Sequence, residues 1–152
     1  DLICIDEVVI YGSNSDEIAK EIHQRYPNRQ IIVYPDPAAR QRKTSAGGRT
    51  DLSILQNSGF MTKAKKAHPA IRDRINAVNS RLKTGDGKRH LFFTENCKQT
   101  IKSLERQTYK EGTSQPNKDD GYDHMNDALG YMVEYLFPVK TDYPVQQPTR
   151  WT

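Results

Sequence analysis

Residues 30–37 read QIIVYPDP. Gln30 to Tyr34 forms a short, continuously apolar strand of the kind buried on both faces, and Pro35-Asp36-Pro37 ends it. Such strands belong to sheets whose crossovers carry helices, so the flanking sequence is expected to alternate between the two periods. Upstream, Leu2 to Tyr11 is β-branched and apolar and predicts another strand. Gly12-Ser13-Asn14-Ser15 then turns the chain, and Ser15 or Asn14 caps a helix running to about Tyr26, with Ile18, Ala19 and Ile22 inward. Downstream, Thr50 or Asp51 caps a short helix carrying Leu52, Ile54 and Leu55 and closed by Gly59. Phe60-Met61-Thr62 predicts a further strand. Pro69 suits the first turn of a helix that runs to about Leu82 with Ile71, Ile75, Val78 and Leu82 inward. His90 to Phe93 predicts a strand, and Thr94 caps a helix bearing Cys97, Ile101 and Leu104. Residues 109–121 are polar and loop-like, with room for an irregular hairpin. A last helix with Leu129, Met132, Val133 and Leu136 inward precedes a proline-containing tail. The pattern is that of an α/β sheet flanked by helices.

A chain of 152 residues is long enough for one domain with a real core. Residues 1–138 are read as that domain and 139–152 as a tail or linker. The net charge of +4 and pI of about 9.0 lean toward an anionic partner. Cys4 and Cys97 read as small buried hydrophobes of a reduced protein, and no paired-Cys motif suggests structural zinc. The apolar run near residues 129–139 is too short to span a bilayer, so no membrane role is expected.

The chemistry concentrates in carboxylates. Asp123, His124 and Asp127 lie three and four apart and can share one helix face, just ahead of the buried stripe of the last helix. Carboxylates there are costly to desolvate unless a cation or hydrogen-bond donors receive them. Asp36 stands at the end of a strand, where working groups of α/β sheets collect. A strand-end carboxylate with helix carboxylates is how a two-metal phosphodiester site is built, its ions about 3.5–4 Å apart. Magnesium and manganese both prefer such oxygen ligands. A basic loop follows Asp36: residues 37–50 hold Arg40, Arg42, Lys43 and Arg49 and no acid. Lys63, Lys65, Lys66, Arg72, Arg74 and Arg81 continue the basic stretch. Such residues beside an acidic site suit a DNA phosphate backbone.

Three segments occur in a familiar order: Asp36-Pro37-Ala38 after an apolar strand, Ala64-Lys65-Lys66-Ala67, and Asp123-His124-x-x-Asp127-Ala128-x-x-Tyr131. Over about residues 2–137 the chain resembles the C-terminal nuclease domain of the large terminase subunit of tailed bacteriophages. The opening LICIDEVVIYG is similar to that family's third sheet strand and first helix. The resemblance implies a ribonuclease H-like mixed sheet flanked by helices, here without its first strand or strands. It implies a metal-dependent endonuclease that cuts concatemeric viral DNA during packaging, with Mg2+ or Mn2+, two ions in all, as cofactor. Its partners would be double-stranded DNA, an ATPase motor on the same polypeptide, the portal and the small terminase subunit, in the cytoplasm of an infected bacterium. No Walker A loop occurs here, so the motor is not in this stretch of sequence.

By matched position, Asp36 is the second catalytic carboxylate and Asp127 the third. Asp123 and His124 are auxiliary ligands, and Tyr131 is a packing residue. The family's first catalytic Asp falls upstream of residue 1. Asp6 is a substitute nominee, although Asp6-Glu7 matches an acidic pair lying away from the metals. Two other readings compete: another ribonuclease H-like enzyme such as a junction resolvase or transposase, and a non-catalytic DNA-binding or motor-docking module whose acids are structural.

Overall fold

The strand Leu2–Cys4 (β1) lies parallel to Leu91–Phe93 (β4), with Leu2 opposite Leu91 and Cys4 opposite Phe93. A second parallel pair joins Ile32–Val33 (β2) to Met61–Thr62 (β3). These belong to a computed structural model that describes residues 1–42 and 48–139. Lys43 and residues 140–152 lie outside the described residues. Between the strands run the helices Ser15–Arg25 (α1), Asp51–Asn57 (α2), Ile71–Leu82 (α3), Lys98–Arg106 (α4) and Asp123–Leu136 (α5), with a 3-10 turn at Pro37–Arg40. The alternation expected from sequence is therefore present. The antiparallel part of the expected mixed sheet is confined, among the described residues, to two isolated bridges, Arg42 with Thr50 and Tyr109 with Pro116. The second of these closes the irregular hairpin.

Both predicted apolar strands are shorter than their sequences suggest. The strand over residues 30–34 contracts to Ile32–Val33, and its register partners Ile32 and Met61 are 37% and 44% exposed. The expectation of burial on both faces fails for this pair. In β1, the stretch expected to reach Tyr11 leaves the sheet after Cys4 because Asp6 and Glu7 are engaged elsewhere. Glu7 accepts from the backbone amides of Gln99 and Thr100, at 2.7 and 2.8 Å, and from the Thr100 hydroxyl at 2.8 Å. A carboxylate there satisfies orphan amides at the start of α4 and favours its dipole. Thr94, expected to cap that helix, instead donates its hydroxyl to the Ile5 carbonyl.

Asp6 accepts from Arg25 at 3.0 Å and from the Tyr26 hydroxyl at 2.9 Å. These two bonds, with a third from the Glu7 amide, hold its carboxyl below the ordinary carboxylate range. A depressed folded pKa stabilises the protein above the unfolded value, about 4, and that share is lost as pH falls through the folded value. Asp6→Asn is therefore expected to be less stable than the parent at pH 7, with the gap closing toward pH 2–3. Urea midpoints measured at both ends check this; a gap independent of pH would contradict it.

The helix starts follow local sequence. Asn14 and Glu17 form a reciprocal capping box on α1, and Thr50 and Ser53 form one on α2. Gly59, at φ +91°, supplies the left-handed turn that leads α2 into β3.

The apolar interior has two centres. Ala77, Val78, Leu91, Leu129 and Val133 join α3, β4 and α5, with Leu2, Leu82, Phe93, Leu104 and Met132 packed around them. Ala19, Leu55 and Phe60, with Ile22, Ile31 and Val33, join α1, α2 and the β2–β3 pair. The face of α3 is rotated from the expected one: Arg74, Ala77 and Val78 are buried, while Ile71 is 36% exposed. Cys4 and Cys97 are free thiols, as read from sequence, and the fold brings their sulfurs to 3.5 Å. Burial, helped by Cys97, pushes the Cys4 thiol up to about 12.

Candidate active site

α5 carries Asp123, Asp127, Tyr131 and Glu134 at steps of four, four and three, which is one helix face. α3 crosses this face at Gly130, where a Cβ would stand 3.3 Å from that of Arg74. A glycine inside a helix costs about 1 kcal/mol relative to alanine, and here its bare backbone admits Arg74. The guanidinium of Arg74 donates to Asp127 Oδ1 at 2.6 Å and lies 4.4 Å from the centroid of the Tyr131 ring. Arg74 is thus a buried counter-ion and not part of an exposed basic stretch. Sequence reasoning missed it because Ile71, Ile75 and Val78 claimed the inward stripe. The signal that could have found it is Gly130, an interior helix glycine that calls for a close neighbour.

Asp36 approaches the same region from the end of β2. As N-cap of the turn Pro37–Arg40 it accepts from the Ala38 amide at 2.8 Å, and His68 Nδ1 stands 3.4 Å from the same Oδ1. His68 was not foreseen either; it also meets the Tyr131 ring edge-on. Tyr131 links the two acids. Burial first, then the charge of Asp36 and a hydrogen bond to it, and then the charge of Asp127, raise its phenol to about 12 against an opposing effect of Arg74. At neutral pH Tyr131 therefore keeps its proton.

A cleft of about 260 Å³ opens beside Asp127. Asp123, Asn126, Asp127 and Arg74 line one side, and Ile71, Ile75, Val78 and Leu104 supply apolar surface. Asp123 is buried, with Lys118 Nζ at 3.7 Å from Oδ2 and no hydrogen-bond partner for Oδ1. The fold thus brings Asp123 and Asp127 into one cleft. Asp36 is not among its lining residues. His124 is exposed. Among the described residues no three His, Cys, Asp or Glu side chains gather as a metal cage.

The basic residues divide. Arg40 donates to the carbonyls of Lys65 and Ala64, at 2.5 and 3.0 Å, and so fastens the turn after Asp36 to the segment after β3. Lys65 pairs with the buried carboxylate of Glu134, which makes it a structural residue rather than an open phosphate contact. Lys63 and Lys66 flank it and are exposed. Arg42 and Arg49 are exposed where the bridge to Thr50 closes their loop, with Arg49 3.6 Å from Asp16. Lys63 and Lys66 are therefore the open lysines of the segment that Arg40 fastens to the turn after Asp36, and Arg42 with Arg49 forms a separate basic edge.

No curated protein and no solved structure matches the chain. No helix of the described residues is long and apolar enough to cross a membrane. Compared with known families, residues 11–136 match the Terminase RNaseH-like domain. The chain belongs to that family, whose role is that of a terminase-type nuclease acting with DNA and packaging partners.

Proposed function

We propose that the domain is a divalent-metal-dependent DNA endonuclease that cuts concatemeric viral DNA during packaging. Its partners are the ATPase motor of the same polypeptide, the portal and the small terminase subunit, in the cytoplasm of the infected bacterium. The observation that carries this reading is the pair of carboxylates, Asp123 and Asp127, that one face of α5 presents to a single cleft, with the charge of Asp36 near enough to act on Tyr131 beside them.

The donors suit Mg2+ or Mn2+ in kind. Magnesium takes one or two carboxylates and keeps several waters, and the unpartnered, buried Oδ1 of Asp123 lies one turn from Asp127. Asp127, Asp123 and Asp36 would hold the ion or ions, with His124 auxiliary. Bound there, a divalent ion supplies a water made nucleophilic near neutral pH and a charge sink for the departing oxygen. The chain's own residues do the rest. Arg74 balances the charge of Asp127 when no ion is held there, and protonated Tyr131 lies beside it. Lys63, Lys66 and the segment fastened by Arg40 hold the phosphate backbone without reading sequence.

A second reading has its own support. Asp127 already has Arg74 as counter-ion and Asp36 already caps a turn, as acids of a non-catalytic DNA-binding module would. Plasmid nicking separates the two. The nuclease reading expects nicked and linear product with Mg2+ or Mn2+ and none with chelator. DNA binding with no metal-dependent cleavage would favour the binding module.

A further inference from the structure

We propose that Arg74 is a resident cation of the carboxylate site, occupying Asp127 in the absence of metal and setting how tightly the site takes a divalent ion. The inference rests on the metal-dependent reading above and concerns a residue outside its ligand set. Arg74 is buried, donates to Asp127 Oδ1 at 2.6 Å, and has an Nε with no partner. A buried guanidinium with an unmet donor is costly unless a counter-ion receives its charge, and here Asp127 does so. Its place is secured from two sides: Gly130 leaves the room that its Cβ needs, and the Tyr131 ring supports the guanidinium.

The consequence is competition. Two cations near one carboxylate repel each other, so a divalent ion at Asp127 must displace or distort the Arg74 pair. The Asp127–Arg74 pair is then neutral when no ion is bound, beside the apolar part of the cleft. Removing the Arg74 charge should tighten cation binding, the opposite of what the loss of a merely structural residue would do.

The probe is Mn2+ alone, titrated calorimetrically into the parent chain, Arg74→Gln, Arg74→Lys and Asp127→Asn. Arg74→Gln is expected to bind on the order of tenfold tighter, Arg74→Lys to stay near the parent, and Asp127→Asn to lose binding. Equal or weaker binding by Arg74→Gln would overturn the role of Arg74 alone. A parent that binds no Mn2+, or an Asp127→Asn that binds as well as the parent, would overturn the metal reading as well. Should Arg74→Gln fail to fold, the parent still answers. The side-chain Nε–H resonance of Arg74 must shift as Mg2+ saturates the site, and a resonance that stays put contradicts displacement.

Discussion

Asp127→Asn is expected to lower DNA cleavage by at least about a hundredfold, since even outer partners of metal ligands cost about 10–100-fold when removed. Asparagine keeps the size and planarity of the side chain and still offers Arg74 an acceptor oxygen where the 2.6 Å ion pair stood. What disappears is the negative charge, and with it the hold on a divalent ion. The fold should survive with a loss of about 1–3 kcal/mol at most, because the guanidinium keeps a hydrogen bond and the Asp127 side chain is one-third open to solvent. DNA binding should persist, as the exposed lysines are untouched. Asp36→Asn should act alike, and the double variant should be little worse than either single one, as the proposed sharing of one site by both acids requires. Plasmid linearisation with Mn2+, alongside thermal melts, is the measurement. Cleavage at the parent rate by a folded Asp127→Asn would remove this residue from the mechanism.

Leu129→Ala is expected to cost about 2–5 kcal/mol, the range for truncating a buried leucine that leaves a cavity behind. Leu129 sits with Val133 in the seam between α3 and α5, against Ala77 and Val78. Single domains have only about 5–15 kcal/mol in all, so the variant should melt some 5–20 °C below the parent. Leu136→Ala provides the control. Sequence periodicity assigned it to the same stripe, yet Leu136 is 37% exposed, so its truncation should cost about 1 kcal/mol or less. Equal losses for both would mean that the stripe runs as the periodicity alone suggests.

That comparison marks where sequence reasoning held and where it gave out. Helix starts at Asn14 and Thr50 were legible because capping is decided within four residues. The centre of α5 was legible too, since Leu129 and Val133 need only a helical period to meet one core. The edges of elements were not. Glu7 left its strand to cap a helix 92 residues on, a choice no local window contains. Asp123 and Asp127 were legible as neighbours on one helix. The counter-ions were not, because Arg74 and Lys65 look like surface charge until Asp127 and Glu134 are set against them. Glu134, a lone acid among Met132, Val133, Tyr135 and Leu136, was the visible hint of a buried pair.

The parallel pairing of β1 with β4 joins residues that are 89 positions apart. Contacts of that span are among the longest-range in the described fold, and they form late. A ribosome adding about 5–20 residues per second makes Leu2–Cys4 roughly 4–18 s before Leu91–Phe93 exists. The helices between them can form within microseconds of their synthesis. For those seconds β1 lacks its β4 neighbour, and Leu2 lacks the Leu91 side of the core that it packs against. Nascent chains of this domain should therefore depend on a holding chaperone until β4 emerges, and the β1 amides should be among the last to gain protection from hydrogen exchange.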